Sequence, residues 1–408
     1  MGFFKQIIRD LPLHHGKHYR VLVRVDYNVP LKDGKVGDDL RIRAGLPTLQ
    51  YLLEQGCSLV LMSHLGRPEG RDLSCSLEPA ADRLSELLGK KVIFVDDTIG
   101  DAAFQAVKKA PEGSVVMLQN LRFDPREEEN DMEYAKAIAR VAQADFFVQD
   151  GFGVVHRAHA STEAITHFLP SVSGLLLEKE YVTISQAMEN PAHPFVAVLG
   201  GAKVSDKIKV VERFVKLADT VLVGGAMANT FLAYKGHAVG KSKAETDQKE
   251  TLDSIYAAAH KKAGDDVDTF VVLPTDVAVG HELSDSEKRV NKTVDQIADD
   301  EMALDIGDKS IENYTAIIEK AKTVIWNGPL GMSEYDNFAH GSARVALSLA
   351  THPEITSIVG GGDTADFVLK WDANNGGSFT HVSTGGGAGL DLMAGNKLPG
   401  VESLLDAR

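Results

Sequence analysis

Along the chain, short runs of β-branched and other apolar residues end in clusters of Gly, Asp, Asn or Arg and are followed by longer stretches with helical periodicity, the pattern of βα alternation. In the first part the runs occupy 21–25, 58–62, 91–95, 115–118 and 146–149, and helix-like stretches cover 43–54, 78–88 and 132–142. Each such stretch is long enough to cross back over a parallel sheet. The same alternation restarts with runs at 195–199, 220–223, 269–273, 323–326, 355–359 and 380–383. Between the halves, a small-residue turn leads into a helical pattern over 175–189 and then a Pro-interrupted segment, which predicts a connecting helix. The expected fold is therefore α/β: two doubly wound, Rossmann-like parallel-sheet domains joined by a hinge helix. The expected division is 1–172, connector 173–190, 191–395, and a C-terminal segment 396–408 that follows a Pro-Gly break and is free to pack back on the first domain.

With 408 residues, 44% of them apolar, the chain can bury large cores. A formal net charge of -15 argues against nucleic acid or an anionic membrane as a partner, so an anionic ligand must meet a local basic site. Cys57 and Cys75 have no metal-ligand spacing, and two thiols suit a reducing compartment. The first residues interrupt their apolar character with Lys5, Arg9 and Asp10 and lack the core of a secretory signal. These features lead to the expectation of a cytoplasmic protein, and nothing in the chain demands more than a monomer.

Ligands of open α/β sheets bind outside the carboxyl ends of the strands, and there the two halves differ. After the first runs come Asp26 and Asn28 in RVDYNVP, His64 and Arg67 in SHLGRP, Arg122 in NLRF and Arg157 in HRAHAS, with Arg41 nearby in DDLRIR. Twelve of the sixteen arginines fall in the first 170 residues. Guanidinium groups gathered at one sheet edge of an acidic protein suit a small ligand bearing phosphate and carboxylate.

After the second set of runs come glycines, in LGGAKVSDK, VGGAMANT, WNGPLG, VGGGDTAD and STGGGAG. Glycine admits phosphate oxygens to backbone N–H groups, and a helix starting there turns its positive end to the anion. No GxxxxGK[ST] or GxGxxG motif occurs, which excludes a P-loop and a dinucleotide fingerprint. A helix starting near Ala202 is expected to present Lys203 and Lys207 on one face. Asp363, at the start of a helix and followed by Thr364, supplies a hard oxygen for Mg2+. From these residues alone, a kinase for another small acyl phosphate and a non-catalytic two-lobed binding protein both stay open.

Taken together in order and spacing, RVDYNVP, SHLGRP, NLRF, HRAHAS, LGGAKVSDK, GGAMANTF, WNGPLG, GGGDT and STGGGAG resemble the phosphoglycerate kinase family over nearly the whole chain. The resemblance implies reversible phosphoryl transfer from 1,3-bisphosphoglycerate to ADP, giving 3-phosphoglycerate and ATP. It implies triose binding at positions matching Asp26, Asn28, Arg41, His64, Arg67, Arg122 and Arg157. It implies Mg-ADP or Mg-ATP at Gly200, Gly201, Lys203, Lys207, Gly224, Gly225, Asn327, Pro329, Glu334 (ribose), Gly361, Gly362, Asp363 (also the metal) and Thr364. Arg41, Lys203, Gly362 and Gly386 are the expected catalytic set, with the amides of Gly385, Gly386 and Gly387 assisting Lys203. The chain departs from the family at Gly151, Val154 and Val155, at Met332 and Ser333, and at Ala303, near the expected adenine site.

Overall fold

The computed structural model describes residues 3–14 and 16–407. The chain divides into two compact units, one formed by residues up to Val182 together with those from Asn396 onward, the other by Thr183–Gly395. The boundary falls inside a continuous helix, Leu175–Glu189.

The first unit is built on strands β1 (Arg20–Arg24), β4 (Ser58–Met62), β5 (Val92–Val95), β6 (Val115–Leu118), β7 (Phe146–Gln149) and β8 (Ser171–Ser173), with a small hairpin of β2 (Leu31–Lys32) and β3 (Lys35–Val36) beside them. The six-stranded sheet is parallel throughout, in the order β5-β6-β4-β1-β7-β8. Both of its faces are covered, which is why β4, SLVLM, is buried at every residue and reads as a continuous apolar run. Two apolar clusters sandwich it, one with Val21, Leu49, Leu61 and Leu84, the other with Leu22, Val60, Ile138 and Phe147. Burying each such side chain stabilises the fold by roughly 1.5–3 kcal/mol.

β8 was not predicted. Its three residues, SVS, carry no apolar run, and it exists because the sheet edge and both chain ends supply partners. Leu405 N–H bonds Ser171 O at 3.0 Å, Ser173 N–H bonds Gln6 O at 2.9 Å and Gln6 N–H bonds Leu405 O at 2.8 Å. Buried Lys5 caps the C-terminal segment, its Nζ reaching Glu402 O at 2.8 Å, Leu404 O at 2.9 Å and Asp406 Oδ1 at 2.7 Å.

The second unit holds β9 (Phe195–Leu199), β10 (Thr220–Val223), β11 (Val271–Val272), β12 (Asp276–Gly280), β13 (Val290–Thr293), β14 (Met302–Ile306), β15 (Thr323–Asn327), β16 (Thr356–Gly360) and β17 (His381–Val382). Its main sheet is parallel, in the order β11-β10-β9-β15-β16-β17, so the strand order reverses between β9 and β15, where doubly wound sheets bind ligands. The run at 269–273 yields only the two residues of β11, because Val267–Phe270 closes a helical turn ahead of it. A separate antiparallel sheet, β13-β12-β14, lies between β11 and β15 in sequence. β13, VNKT, is polar and largely exposed and carries no strand pattern of its own.

Candidate active site

In the first unit, the carboxyl ends of β1, β4, β6 and β7 carry the polar residues picked out above. Asp26 is buried directly after β1; its carboxylate accepts from Arg41 Nη1 at 3.1 and 3.3 Å and from the Asn28 amide at 3.1 Å. Arg41 reaches it from the first turn of the helix Leu40–Glu54. Asn28 Oδ1 accepts from Gly66 N–H at 2.9 Å, and Arg122 Nη1 donates to Gly66 O at 2.7 Å, so one loop is held from both sides. Arg122 Nε also lies 3.1 Å from Glu128 Oε1, off the hydrogen-bonding direction, so that pair is ionic only. Burial lowers the Arg122 pKa, and Arg157 and Arg67 add to the effect while Glu128 and Glu127 oppose it. Arg67 itself is exposed and Arg157 partly so, its Nε reaching His156 Nε2 at 3.3 Å.

His64 is buried, with Nδ1 3.0 Å from Arg24 Nη2. A guanidinium can only donate, so Nδ1 accepts and Nε2 carries the proton. Burial holds the His64 pKa well below its usual value, and Arg24, Arg122, Arg41 and His159 push the same way. The structure thus gathers Asp26, Asn28, Arg41, His64, Arg67, Arg122 and Arg157 around one sheet end with more cationic than anionic groups.

Sequence reasoning missed the layer beneath. Arg24 is fully buried, with Nε and Nη1 unpartnered, and interacts with Glu127, also fully buried, which accepts from the Ser161 hydroxyl at 2.5 Å and the Ser161 amide at 3.1 Å. Buried His159 is held neutral, its pKa pushed down to about 3 by burial and by Arg24, Arg122 and Arg157. Asn120 laces two of the loops, accepting from Leu65 N–H at 3.2 Å and Arg122 N–H at 3.0 Å and donating to Leu65 O at 2.7 Å and Cys75 O at 2.9 Å. The available signal was an arginine inside the apolar run RVLVR, unusual for a strand buried on both faces.

In the second unit three βα loops converge where the strand order reverses. Gly201 N–H bonds Pro329 O at 2.8 Å, Gly225 N–H bonds Leu330 O at 2.9 Å and Gly200 N–H bonds Asn327 O at 2.9 Å. A Cβ on Gly200 would sit 2.1 Å from Pro329 O, and one on Gly224 2.5 Å from Leu330 Cδ2. Gly200 is required by backbone meeting backbone, whereas Gly224 is crowded first by the Leu330 side chain.

The lysines do not share a helix face as expected. Glu245 draws the chain into a loop by accepting from Val204 N–H at 2.7 Å and Ser205 N–H at 3.1 Å; Ser205–Lys207 is a short 3-10 turn and the α-helix begins only at Ile208. Lys203 is left exposed on the loop. Lys207 folds inward, donating to Gly200 O at 3.0 Å and Asn327 O at 3.4 Å, and burial lowers its pKa to about 8 against the opposing pull of Asp363 and Asp206.

The helices Gly225–Tyr234, Gly362–Trp371 and Gly387–Ala394 start in the loops after β10, β16 and β17, and none has a side-chain cap at its N-terminus. Their first amides carry the positive ends of helix dipoles. Gly361, at φ +88°, turns the chain from β16 into the second of these helices. Asp363 is exposed on its first turn, and the buried Thr364 hydroxyl accepts from Gly328 N–H at 2.7 Å. Asn327 is fully buried beside Gly361, with Oδ1 and Nδ2 both unpartnered. Gly386, at φ +49°, leads into the third helix. Glu334 is exposed on the loop that follows β15. Ala303 packs against a small apolar cluster containing Val277, Val279 and Leu232.

The family model described as phosphoglycerate kinase matches residues 8–396. The chain belongs to the phosphoglycerate kinase family. It is 48% identical over 408 residues to a phosphoglycerate kinase of Akkermansia muciniphila, covering 98% of both chains. It is 45% identical over 403 residues to one of Pelotomaculum thermopropionicum, covering 98% of this chain and 99% of the relative. Phosphoglycerate kinase structures from Coxiella burnetii (TM-score 0.82, 36% identity) and Pyrococcus horikoshii (TM-score 0.83, 33% identity) each match over 98% of both chains. The activity is that of the family: reversible transfer of a phosphoryl group from 1,3-bisphosphoglycerate to ADP, giving 3-phosphoglycerate and ATP in glycolysis.

Proposed function

We propose that the first unit binds 3-phosphoglycerate or its acyl phosphate through Asp26, Asn28, Arg41, His64, Arg67, Arg122 and Arg157, and that the loops of the second unit bind ADP or ATP. The observation that carries this division is the contrast between the two sites. One is a cluster of cationic side chains over a buried arginine; the other is a set of uncapped helix N-termini at glycine turns. Guanidinium forks suit a small carboxylate-phosphate, and amide cradles suit a polyphosphate.

Phosphoryl transfer between a carboxylate oxygen and a nucleotide phosphate depends on in-line placement and charge neutralisation more than on a general base. Exposed Lys203 neutralises the equatorial oxygens of the transferring group, with Arg41 and the amides of Gly362 and of Gly385–Gly387 assisting. Lys207 supports the loop from beneath and adds charge beside the phosphates. His64, held as its Nε2–H form, donates to the triose rather than exchanging protons with it.

Asp363 fits a magnesium ion carried by the nucleotide. Among the described residues no group of three His, Cys, Asp or Glu side chains forms a metal site, as suits an ion bound mainly by phosphate oxygens and one protein carboxylate. Bound there, Mg2+ would neutralise phosphate charge. Asn327, with both polar atoms buried and unpartnered, gives the same loops a further donor and acceptor.

Because the triose and nucleotide residues belong to different units, the reaction requires the units to close, and the helix Leu175–Glu189 is the hinge in this reading. A monomer is the assembly this reading requires, since it assigns no residue of a second chain to either site. The acidic charge and two free cysteines support a cytoplasmic one.

The experiment is a coupled assay with 3-phosphoglycerate, ATP and magnesium, run on the wild type and Lys203→Ala. A fall in kcat of about 10²-fold with a smaller change in KM is expected. Near-normal turnover in the variant would remove Lys203 from its role.

A further inference from the structure

Apart from Ala303, the antiparallel sheet β13-β12-β14 supplies no residue to the site described above, yet a buried ion pair ties it to the loop that follows β15. Arg289, in the connection between β12 and β13, has its side chain 10% exposed, and the Asp305 side chain on β14 is fully buried. Arg289 Nη1 donates to Asp305 Oδ2 at 2.8 Å and to Asn337 O at 3.3 Å, while Nη2 donates to Ile306 O at 2.8 Å and to Asp308 Oδ1 at 3.3 Å. Asp305 in turn accepts from Gly341 N–H at 2.9 Å and Ile306 N–H at 2.9 Å.

Both ends of the segment carrying Glu334 close on this pair. A Cβ on Gly331 would lie 2.4 Å from Asp305 Oδ1, and one on Gly341 would lie 2.5 Å from the same atom. Met332 N–H bonds Leu304 O at 2.8 Å, and Asn337 Nδ2 donates to Glu287 O at 2.9 Å. The exposed Glu334 therefore stands on a short segment pinned to the inserted sheet at each end. A carboxylate on a pinned backbone loses only its side-chain freedom when it binds hydroxyls, whereas one on an untethered loop requires the loop to be ordered as well.

We propose that Arg289 is a positioning residue for nucleotide recognition: through Asp305 and the Asn337 carbonyl it fixes the 331–338 segment so that Glu334 meets the ribose hydroxyls of a nucleoside di- or triphosphate. This rests on the assignment of Glu334 to the ribose. The buried pair is poorly replaced by half of itself, since removing one partner leaves the other uncompensated; Arg289→Lys keeps a charge and one hydrogen bond but not the fork.

The test compares the wild type, Arg289→Met, Arg289→Lys and Glu334→Ala, each with ATP and with 3′-deoxy-ATP, alongside hydrogen exchange of the Met332 and Phe338 amides. In the wild type, loss of one ribose hydroxyl should raise KM about 10-fold. In Arg289→Met that ratio should fall to about 2-fold as the hydrogen bond is lost, with KM for ATP raised, kcat and KM for 3-phosphoglycerate near wild type, and amide protection lost. Arg289→Lys should lie between and serves as the readout if Arg289→Met does not fold. Glu334→Ala should lose the ribose discrimination while keeping the amide protection. If Glu334→Ala keeps its discrimination, the ribose assignment is what fails, and the proposal goes with it. If Glu334→Ala loses discrimination while both Arg289 variants keep it and their amide protection, the positioning role alone is refuted.

Discussion

Asp150 is a carboxyl group whose charge the fold does not accommodate. It follows β7 directly and is 1% exposed; Oδ1 accepts from Leu176 N–H at 3.0 Å and Leu177 N–H at 3.4 Å at the start of the helix Leu175–Glu189, and Oδ2 is buried without a hydrogen-bond partner. Burial pushes its pKa up from 3.8 to about 7, against the pull of the nearby Thr48 hydroxyl and the Leu177 and Leu176 amides. A carboxyl whose pKa is higher folded than unfolded binds its proton more tightly in the native state. Its contribution to stability is complete below the unfolded pKa and is lost as pH rises through the folded value. At about 1.4 kcal/mol per pKa unit, a rise from 3.8 to about 7 is worth at most about 4 kcal/mol, and the positive end of the helix offsets part of it. Asp150→Asn keeps an acceptor for the two amides and cannot ionise. Relative to the wild type it should therefore gain stability steadily between pH 4 and pH 8, by a few kcal/mol in total, on top of any constant offset. The assay is denaturant unfolding at a series of pH values followed by far-UV circular dichroism. Tryptophan fluorescence run beside it follows the second unit, because Trp326 and Trp371 both lie there. A difference between the two proteins that stays constant across that range would refute the argument, because it would mean that Asp150 does not titrate there.

Two further outcomes follow from the same geometry. Gly200→Ala sets a methyl 2.1 Å from Pro329 O, and since backbone rather than a flexible side chain must yield, a loss of about 1–3 kcal/mol in stability with weakened nucleotide binding is expected; isothermal titration with ADP and thermal unfolding read both, and wild-type values in each would contradict the interlocked-loop account. If the units close over bound substrates, small-angle scattering should show a smaller radius of gyration with 3-phosphoglycerate and a non-hydrolysable ATP analogue together than with either alone. An unchanged radius would remove the hinge.

The alternation of apolar runs with helical stretches was enough to specify two parallel α/β sheets, because strands buried on both faces must be apolar at nearly every position. Local chemistry was equally legible: glycine turns, and arginines at strand ends of an acidic chain. What the chain pattern did not contain were features that depend on a partner far away in sequence. Strand β8 exists through bonds to Gln6 and Leu405, and polar β13 is a strand only because β12 pairs with it. The spacing of Lys203 and Lys207 suggested one helix face, but Glu245 takes the amides that would have started that helix. Arg24 and Glu127 are far apart in the chain and become comprehensible only when burial deprives both of water and makes each the other's compensation. Periodicity is a property of neighbours along the chain and was determined by the sequence alone; desolvation, which shifts the proton affinities of His64, Lys207 and Asp150, is a property of neighbours in space and was decided by the tertiary structure.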